Sequence, residues 1–289
     1  MSRFWSDLVS RLNPYVPGEQ TESKSVTKLN TNESPFGPSE RVIEAISKCV
    51  GEDLRLYPDP RSLALRDAIA TVEGVSNSNV FVGNGSDDIL NLCVRCFSDY
   101  SKPLGMLDPS YSLYEVLGSL QGAEVKKFAF SDSKFEINPE VISQSGTNLF
   151  FLTSPHAPTG RIYNNSTFSS VINQYSGILV IDEAYADFAP FNALSILNES
   201  ERVIITRTLS KSYSLAGLRV GYALASPDVI SILNKAREVY NVDRLAQYVA
   251  EIALKDRVYF EKTKGEIIAV REKVYETFTD WNWKTYQSG

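Results

Sequence analysis

Short strand candidates, most of them apolar, recur along this chain and end in polar or turn-forming residues. They are Asn79–Val82, Leu104–Leu107, Glu124–Phe130, Asn148–Leu152, Gly177–Ile181, Arg202–Thr206 and Val220–Ala225. Apolar strands of about five residues, separated by segments of helical periodicity, are typical of a parallel sheet buried on both faces. The last segment follows its predecessor so closely that an antiparallel strand is expected there. This alternation predicts an α/β fold with a mostly parallel sheet.

Composition narrows the class of protein. Apolar residues make up 43% of the chain and charged residues 22%, which is close to the globular average and excludes a disordered chain. The net charge of −6 lacks the overall cationic field of a nucleic-acid-binding protein. No apolar run approaches the roughly 18 residues of a membrane span, and the N-terminal residues show no continuous apolar secretion signal. We therefore expect a cytoplasmic enzyme or binding protein with no nucleic-acid or membrane partner.

Two residue types restrict the chemistry. His156 is the only histidine, so a zinc site with several histidine ligands is impossible. Cys93 and Cys96 have the spacing of a CxxC motif, but they fall within a helical pattern, where we expect them to pack in the core. We predict no metal site. Any reaction must therefore use Lys, Asp, Tyr or Arg side chains, or a bound cofactor.

Polar side chains cluster where the strands end, which is where ligands bind in open α/β sheets. Lys211 follows one strand, in a segment whose Ser, Gly and Arg residues can hold an anion. A lysine beside a phosphate cradle suits a covalent link to pyridoxal phosphate, although a single lysine is most often an exposed loop residue. Asp182 follows another strand. A carboxylate there can pair with the cofactor's pyridinium nitrogen or simply cap a helix.

Three further signals lie near strand ends. The segment Gly83–Asp88 joins a strand to a helix, and its glycines and the helix N-terminus can accept an anion, although many such loops bind nothing. Tyr111 at the start of a helix can stack on a planar ring or belong to the core. Tyr185, three residues after Asp182, can bond a phenolic oxygen or lie half-buried in the core.

Nine stretches occur in the order of a known family. They are Leu29–Gly37, Tyr57–Pro60, Gly83–Asp87, Asp108–Tyr111, Ser154–Gly160, Ile181–Tyr185, Arg207–Lys211, Leu215–Arg219 and Tyr240–Gln247. Together they resemble the fold-type I pyridoxal-phosphate-dependent aminotransferases, and most closely the histidinol-phosphate aminotransferase family. Each stretch alone is modest, but the set is highly specific.

The resemblance implies a role for each matching residue. Lys211 would join covalently to the cofactor and then shuttle a proton. Asp182 would pair with the pyridinium nitrogen, Tyr185 would bond the ring hydroxyl, and Tyr111 would stack on the ring. The residues that would bind the cofactor phosphate are Gly85, Ser86, Ser210 and Arg219.

The resemblance also implies partners and domains. Tyr57 would reach the phosphate from the other subunit, so a homodimer is implied. Asn32 would line the pocket for the amino donor and the 2-oxo acid. The fold would be a three-layer α/β/α fold-type I large domain over residues 46–245, with an N-terminal arm at 1–45 and an incomplete small α/β domain at 246–289.

Two departures from the family pattern carry their own expectations. Ala157 stands where the family has an asparagine that bonds the ring hydroxyl, so one hydrogen bond worth about 0.5–1.5 kcal/mol is missing unless Tyr185 or a water replaces it. The adjacent His156 is either an ordinary loop residue or a substitute donor. Family members continue for several tens of residues beyond Gly289. The arginine expected to bind the substrate's carboxylate or phosphate would therefore be absent, and the exposed sheet edge would favour aggregation.

The expected reaction is transamination between histidinol phosphate and 2-oxoglutarate in histidine biosynthesis. Three alternatives remain open. One is an aminotransferase for another amino acid, such as an aromatic one. The second is a lyase that resembles threonine-phosphate decarboxylase and would release carbon dioxide without an oxo acid. The third is an inactive truncated copy that keeps the cofactor cradle. The retained Lys211, Asp182 and Arg219 argue against this alternative, and the expected truncation argues for it.

Overall fold

The computed structural model describes Phe4, residues 6–10, Leu12, residues 18–19, residues 25–49 and residues 51–289. Much of the predicted N-terminal arm therefore lies outside the described residues. Its described part includes a four-residue helix, α1 (Asp7–Ser10), where an irregular segment was expected. The helix begins where the hydroxyl of Ser6 accepts a hydrogen bond from the backbone N–H of Val9 at 3.3 Å.

A seven-stranded sheet forms the centre of the fold. Its strands are β1 (Val80–Gly83), β2 (Leu104–Asp108), β3 (Val125–Ala129), β4 (Leu149–Thr153), β5 (Ile178–Asp182), β6 (Val203–Thr208) and β7 (Gly221–Ala225). The strand order is β1-β7-β6-β5-β4-β2-β3. Strand β7 runs antiparallel to β1 and β6, whereas the other pairs are parallel. The predicted strands and the antiparallel direction of β7 are thus confirmed.

Helices cover the sheet and fill the connections between strands. The longer ones are α2 (Glu40–Cys49), α3 (Leu63–Glu73), α4 (Ser86–Phe97), α5 (Leu113–Gln121), α6 (Pro139–Ser143), α7 (Asn165–Gln174), α8 (Pro227–Ala236), α9 (Arg244–Lys255) and α10 (Arg257–Asp280). In the part of the chain that the structure describes, no helix is both long enough and apolar enough to cross a membrane.

Side chains alternate between the two faces of the sheet, and each face is buried. In β5, Leu179 and Ile181 belong to the core shared with α2, α3, α6, α7 and α9. Val180 belongs to the core shared with α4, α5 and α8. The fold is therefore the predicted three-layer α/β/α arrangement. The same alternation turns Asp182 towards α4 and α5.

The carboxyl ends of the parallel strands meet at one edge of the sheet. The residues at these ends include Gly83, Asp108, Thr153, Asp182 and Thr208. Because β7 is antiparallel, its first residue, Gly221, joins the same edge and pairs with both Gly83 and Thr208. The predicted site residues that follow strands are thereby brought to one side of the molecule.

The last two helices bear on the predicted domain boundary between residues 245 and 246. Helix α9 packs against α2 and α3 and contributes Val249 to the larger core, and α10 contributes Phe260. The proposed division into a large and a small domain stays a prediction.

Candidate active site

Asp182 lies at the centre of the sheet edge. Strand register places Thr153 of β4 beside it on one side and Thr206 of β6 on the other. Thr206 Oγ1 donates to Asp182 Oδ1 at 3.1 Å, and Tyr114 Oη donates to Oδ2 at 2.7 Å. Burial raises the pKa of the Asp182 carboxyl to about 6, although both hydrogen bonds lower it. A cationic nitrogen that approached this carboxyl would stabilise its ionised form.

Lys211 lies just beyond β6 and is partly buried beneath residues 31–34, which we call the N-terminal segment. Its Nζ donates to the backbone carbonyl of Thr31 at 2.8 Å and lies 5.6 Å from the centre of the Tyr185 ring. Burial lowers the pKa of the amine, and the charge of Glu33 opposes this effect. A lowered pKa increases the share of neutral amine, which is the form that attacks a carbonyl carbon.

Tyr185 and Asn32 meet beside the lysine. Asn32 Nδ2 donates to Tyr185 Oη at 3.1 Å. The N-terminal segment is held here by a second contact, from Ser214 Oγ to Ser34 Oγ at 2.9 Å, between residues 180 positions apart. Residues far apart in the chain therefore form one wall of the site together.

Gly85 and Arg219 form a candidate anion site at the N-terminus of α4. Gly85 has a φ of +85°, and a Cβ there would lie 2.5 Å from Arg219 Nη2, so any side chain would displace the guanidinium. Arg219 lies 3.2 Å from Asp87 Oδ2 and 3.5 Å from Ser210 Oγ. The backbone N–H groups that begin at Ser86 point out of the same helix end. Guanidinium, hydroxyl and backbone donors can therefore hold a phosphate.

The two other predicted aromatic residues have different surroundings. Tyr111 is partly buried, with Oη 3.4 Å from Asp87 Oδ1 and its ring edge-on to Tyr114 at 5.6 Å. It therefore borders the anion site and packs against the tyrosine that bonds Asp182. Tyr57 is 76% exposed and stacks on Tyr240 at 4.5 Å between ring centroids. Its backbone carbonyl accepts a hydrogen bond from Arg244 Nη2 at 2.7 Å. Among the described residues, neither contact joins Tyr57 to another predicted site residue.

Four residues of the site were not singled out by sequence reasoning. Asp87 contacts the anion site, and Tyr114, Thr153 and Thr206 surround Asp182. A signal existed for Tyr114, which lies about one helical turn after the predicted stacking residue. The threonines could be found only once the register of β4 and β6 against β5 was known.

The loop after β4 carries the departure from the family pattern. His156 is 2% exposed, its Nδ1 lies 2.9 Å from Thr159 Oγ1, and its ring is edge-on to Phe130 at 4.9 Å. Burial lowers the pKa of its imidazole to about 4, so the ring is neutral near pH 7. These contacts fit an ordinary loop residue, and its role as a substitute donor stays a prediction. The side chain of Ala157 has no polar atom to donate.

Two further features of the sequence are candidate metal ligands and the three cysteines. Within residues 25–49 and 51–289 and the short described segments before them, no three His, Cys, Asp or Glu side chains are arranged to hold a metal ion. Cys93 is buried inside α4, where burial raises the pKa of its thiol. It is free, as are Cys49 and Cys96. The CxxC pair therefore packs against the core, as expected.

The groups present fit the cofactor that the resemblance implies. Pyridoxal phosphate offers a ring nitrogen, a ring hydroxyl, an aldehyde and a phosphate. The structure gathers at one sheet edge a buried carboxylate, a tyrosine hydroxyl, a partly buried lysine amine and an anion cradle that a Cβ would fill. These are Asp182, Tyr185, Lys211 and Gly85 with Arg219.

Comparisons with known proteins agree with this geometry. The family described as "Aminotransferase class I and II" matches residues 24–289. The chain is 44% identical over 265 residues to the histidinol-phosphate aminotransferase of Citrifermentans bemidjiense, covering 91% of this chain and 75% of that protein. It is 42% identical over 274 residues to that of Synechocystis sp., covering 95% and 78%.

A solved structure has the same fold. It is the histidinol-phosphate aminotransferase of Sinorhizobium meliloti in complex with pyridoxal 5'-phosphate, with a TM-score of 0.86 and 26% identity. The match covers 97% of this chain and 78% of that one. The sequence matches span most of the chain and include the strand ends that form the site. The chain belongs to the class I and II aminotransferase family and, within it, to the histidinol-phosphate aminotransferases.

Proposed function

We propose that this chain transfers the amino group of histidinol phosphate to 2-oxoglutarate, with pyridoxal phosphate as cofactor, in histidine biosynthesis. One observation carries the proposal. Lys211, Asp182 and Arg219 lie at one sheet edge in a chain that is 44% identical to a histidinol-phosphate aminotransferase. When bound, the cofactor supplies an aldehyde that captures amines and a ring that draws electrons from the substrate carbon.

The residues of the site have complementary tasks in this reaction. Lys211 would hold the cofactor covalently through its amine, and its Nζ would take up and return a proton as general base and acid. Asp182, when ionised, would hold a proton on the ring nitrogen. Tyr185 would bond the ring oxygen, and Tyr111 would stack on the ring. Asn32 would line the substrate pocket.

The anion site at the N-terminus of α4 would hold the phosphate. Ser86 would offer its backbone N–H group, Ser210 its hydroxyl and Arg219 its guanidinium. The N–H of Gly85 donates to the Gly83 carbonyl at 2.9 Å, and Gly85 would contribute the space that a side chain would fill. Asp87, which pairs with Arg219 at 3.2 Å, keeps that guanidinium aimed at the helix end.

We also infer a homodimer in the cytoplasm. Leu54, Leu56 and Tyr57 are 51%, 45% and 76% exposed, and this apolar surface supports a partner subunit whose phosphate site Tyr57 would reach. Three free cysteines are consistent with a reducing compartment. Sedimentation at micromolar concentration tests the dimer, and a monomer would contradict it.

The test of the reaction is glutamate formation by the purified chain loaded with pyridoxal phosphate. We expect glutamate from histidinol phosphate and 2-oxoglutarate, and none from the Lys211→Ala variant. Turnover with aromatic amino acids but not with histidinol phosphate would make the chain an aromatic aminotransferase. Carbon dioxide release from threonine phosphate without an oxo acid would make it a lyase. No turnover with any of these would favour an inactive copy.

A further inference from the structure

Three side chains form a row across the sheet edge. Thr153 ends β4, Asp182 ends β5, and Thr206 lies in β6, and the strand pairing aligns Thr153 with Asp182 and Asp182 with Thr206. Because side chains alternate along a strand, Thr153 faces the same side as Phe151, which belongs to the core beneath α4 and α5. Sheet register therefore puts two hydroxyl groups beside one carboxyl group.

Tyr114 of α5 lies against this row. It is fully buried, and its ring stacks on Phe151 at 4.4 Å with an interplanar angle of 21°. Tyr111 packs edge-on against it at 5.6 Å. Its Oη lies 2.7 Å from Asp182 Oδ2 and 2.8 Å from Thr153 Oγ1. Because close packing fixes the ring, the hydroxyl cannot leave the carboxyl unless the core repacks.

The hydrogen bonds of this group have a defined direction. The Tyr114 hydroxyl has one proton and two oxygen partners, and the Asp182 carboxylate is the stronger acceptor. The proton therefore points to Oδ2, and Thr153 donates its own proton to the tyrosine oxygen. Thr206 donates to Oδ1 at 3.1 Å. Each carboxylate oxygen thus accepts a bond from a hydroxyl on a rigid element, which favours the ionised form.

Two influences around Asp182 oppose its ionisation, whereas a backbone hydrogen bond from Ala184 favours it. Burial and the charge of Asp87 on α4 both raise its pKa. Cys93, also on α4, is buried, and burial raises the pKa of its thiol, so it brings no compensating charge. Glu183 is paired with Arg207 at 2.7 Å on the opposite face of the sheet. The hydroxyl donors therefore act against both burial and Asp87.

We propose that Tyr114 is a positioning residue whose hydroxyl keeps Asp182 ionised and aimed into the site. This rests on the proposed function, in which Asp182 pairs with the ring nitrogen of the cofactor. A neutral carboxyl cannot hold a proton on that nitrogen. Loss of the Tyr114 hydroxyl therefore weakens cofactor binding. As the pH falls, binding is then lost at a higher pH than in the unmodified protein.

The test uses Tyr114→Phe, which removes the hydroxyl and keeps the stacked ring. The dissociation constant of pyridoxal phosphate is measured by fluorescence quenching from pH 5 to pH 8.5. In the unmodified protein, binding weakens as Asp182 takes up a proton. In Tyr114→Phe we expect the midpoint of this weakening to move up by about one pH unit, because the ionised form has lost a donor.

A matched control separates this effect from the loss of any buried hydroxyl. Tyr175 is also buried, and its Oη lies 3.1 Å from Thr147 Oγ1, away from the Asp182 row. We expect Tyr175→Phe to keep the midpoint of the unmodified protein. Equal midpoints in Tyr114→Phe and Tyr175→Phe would overturn the proposal. Thr206→Val removes the other side-chain donor and is expected to move the midpoint upward as well, which keeps the test decisive if Tyr114→Phe does not fold.

A second readout separates this proposal from the proposed function. If the unmodified protein does not bind pyridoxal phosphate, the proposed function fails. The infrared band of a protonated carboxyl, assigned by its loss in Asp182→Asn, still reports on the protein alone. We expect the protonated fraction of Asp182 at pH 7 to rise in Tyr114→Phe, and an unchanged fraction would contradict the role of Tyr114.

Discussion

The two ends of the site are built in different ways. At one end, Asp182 lies on the rigid sheet edge and is bonded by Thr206 and Tyr114 from neighbouring elements. At the other end, Lys211 lies in a loop, and its amine bonds the carbonyl of Thr31, 180 residues earlier in the chain. The register of the sheet therefore sets the surroundings of the acid. The path of the N-terminal segment sets those of the lysine.

One physical cause nonetheless acts at both ends. Burial raises the pKa of Asp182 and lowers that of Lys211, so both groups are pushed towards their neutral forms. The acid resists this through fixed hydroxyl donors, and the lysine through the charges of Glu33 and Asp87. The rigid end is thus suited to hold one charge state, whereas the loop end is suited to change it during a reaction.

The largest effect is expected from Lys211→Ala, which removes the reactive group of the loop end. Transamination should fall by at least about 10²–10⁴-fold, because no other amine replaces its general base and acid. Single-turnover kinetics measure this loss. Lys127→Ala is the control, since Lys127 lies on β3 and pairs with Glu115 at 2.6 Å. Unchanged turnover in Lys211→Ala would exclude the lysine mechanism.

Asp182→Asn tests the rigid end through stability. A folded-state pKa of about 6 against 3.8 for the unfolded group means that stability is full below pH 3.8 and is lost as pH rises through 6. Above that range, the ionisable carboxyl costs about 3 kcal/mol of unfolding free energy. Asp182→Asn removes this cost. In urea unfolding of the cofactor-free protein, we expect the variant to gain about 1 kcal/mol relative to the unmodified protein between pH 5 and pH 8. A pH-independent difference would contradict the raised pKa.

Gly85→Ala tests the anion site at the N-terminus of α4. Alanine at this position would have to adopt a φ of +85°, which is strained for a residue with a Cβ, and its Cβ would lie 2.5 Å from Arg219 Nη2. We therefore expect a loss of about 1–3 kcal/mol in unfolding free energy and weaker pyridoxal phosphate binding. Gly217→Ala is the matched control, because nothing lies within 4 Å of a Cβ at that position. Urea unfolding and cofactor titration of both variants measure the contrast. Equal stability and equal cofactor affinity in the two variants would show that the anion site tolerates a side chain at Gly85.

The smallest effect is expected from Asn32→Ala at the loop end. The variant loses one hydrogen bond of 3.1 Å to Tyr185, which is worth about 1 kcal/mol, so kcat/KM should fall about fivefold. Asn30→Ala serves as the control because the Asn30 amide bonds the Glu19 carbonyl at 2.7 Å instead. Steady-state kinetics measure both variants. A larger loss of kcat/KM in Asn30→Ala than in Asn32→Ala would show that the contact of Asn30 matters more than that of Asn32.

The difference between the two ends also explains what could be predicted from the sequence. The strands, and the placement of Asp182 and Lys211 just where strands end, follow from local apolar patterns and from the rule that ligands bind at carboxyl edges. The bond between Tyr114 and Asp182 and the contact between Lys211 and Thr31 join residues 68 and 180 positions apart. Such contacts depend on tertiary packing and register, which no local pattern reveals.

The burial of His156 also depends on tertiary packing and could not be predicted from a local pattern. Its position beside Ala157 suggested either a loop residue or a donor to the cofactor, and only the folded contact with Phe130 shows where the ring lies. Sequence patterns thus locate the elements that carry chemistry, and the packing between elements decides which side chains meet.

In the proposed reaction, Lys211 and Asp182 act together on one cofactor and one substrate. The most direct measurement is the absorption spectrum of the purified chain with pyridoxal phosphate, before and after histidinol phosphate is added without an oxo acid. We predict a visible band that requires Lys211 and converts to the spectrum of the amine form of the cofactor when the substrate is added. A spectrum identical to that of free pyridoxal phosphate, or a band that histidinol phosphate leaves unchanged, would contradict this joint role of Lys211 and Asp182.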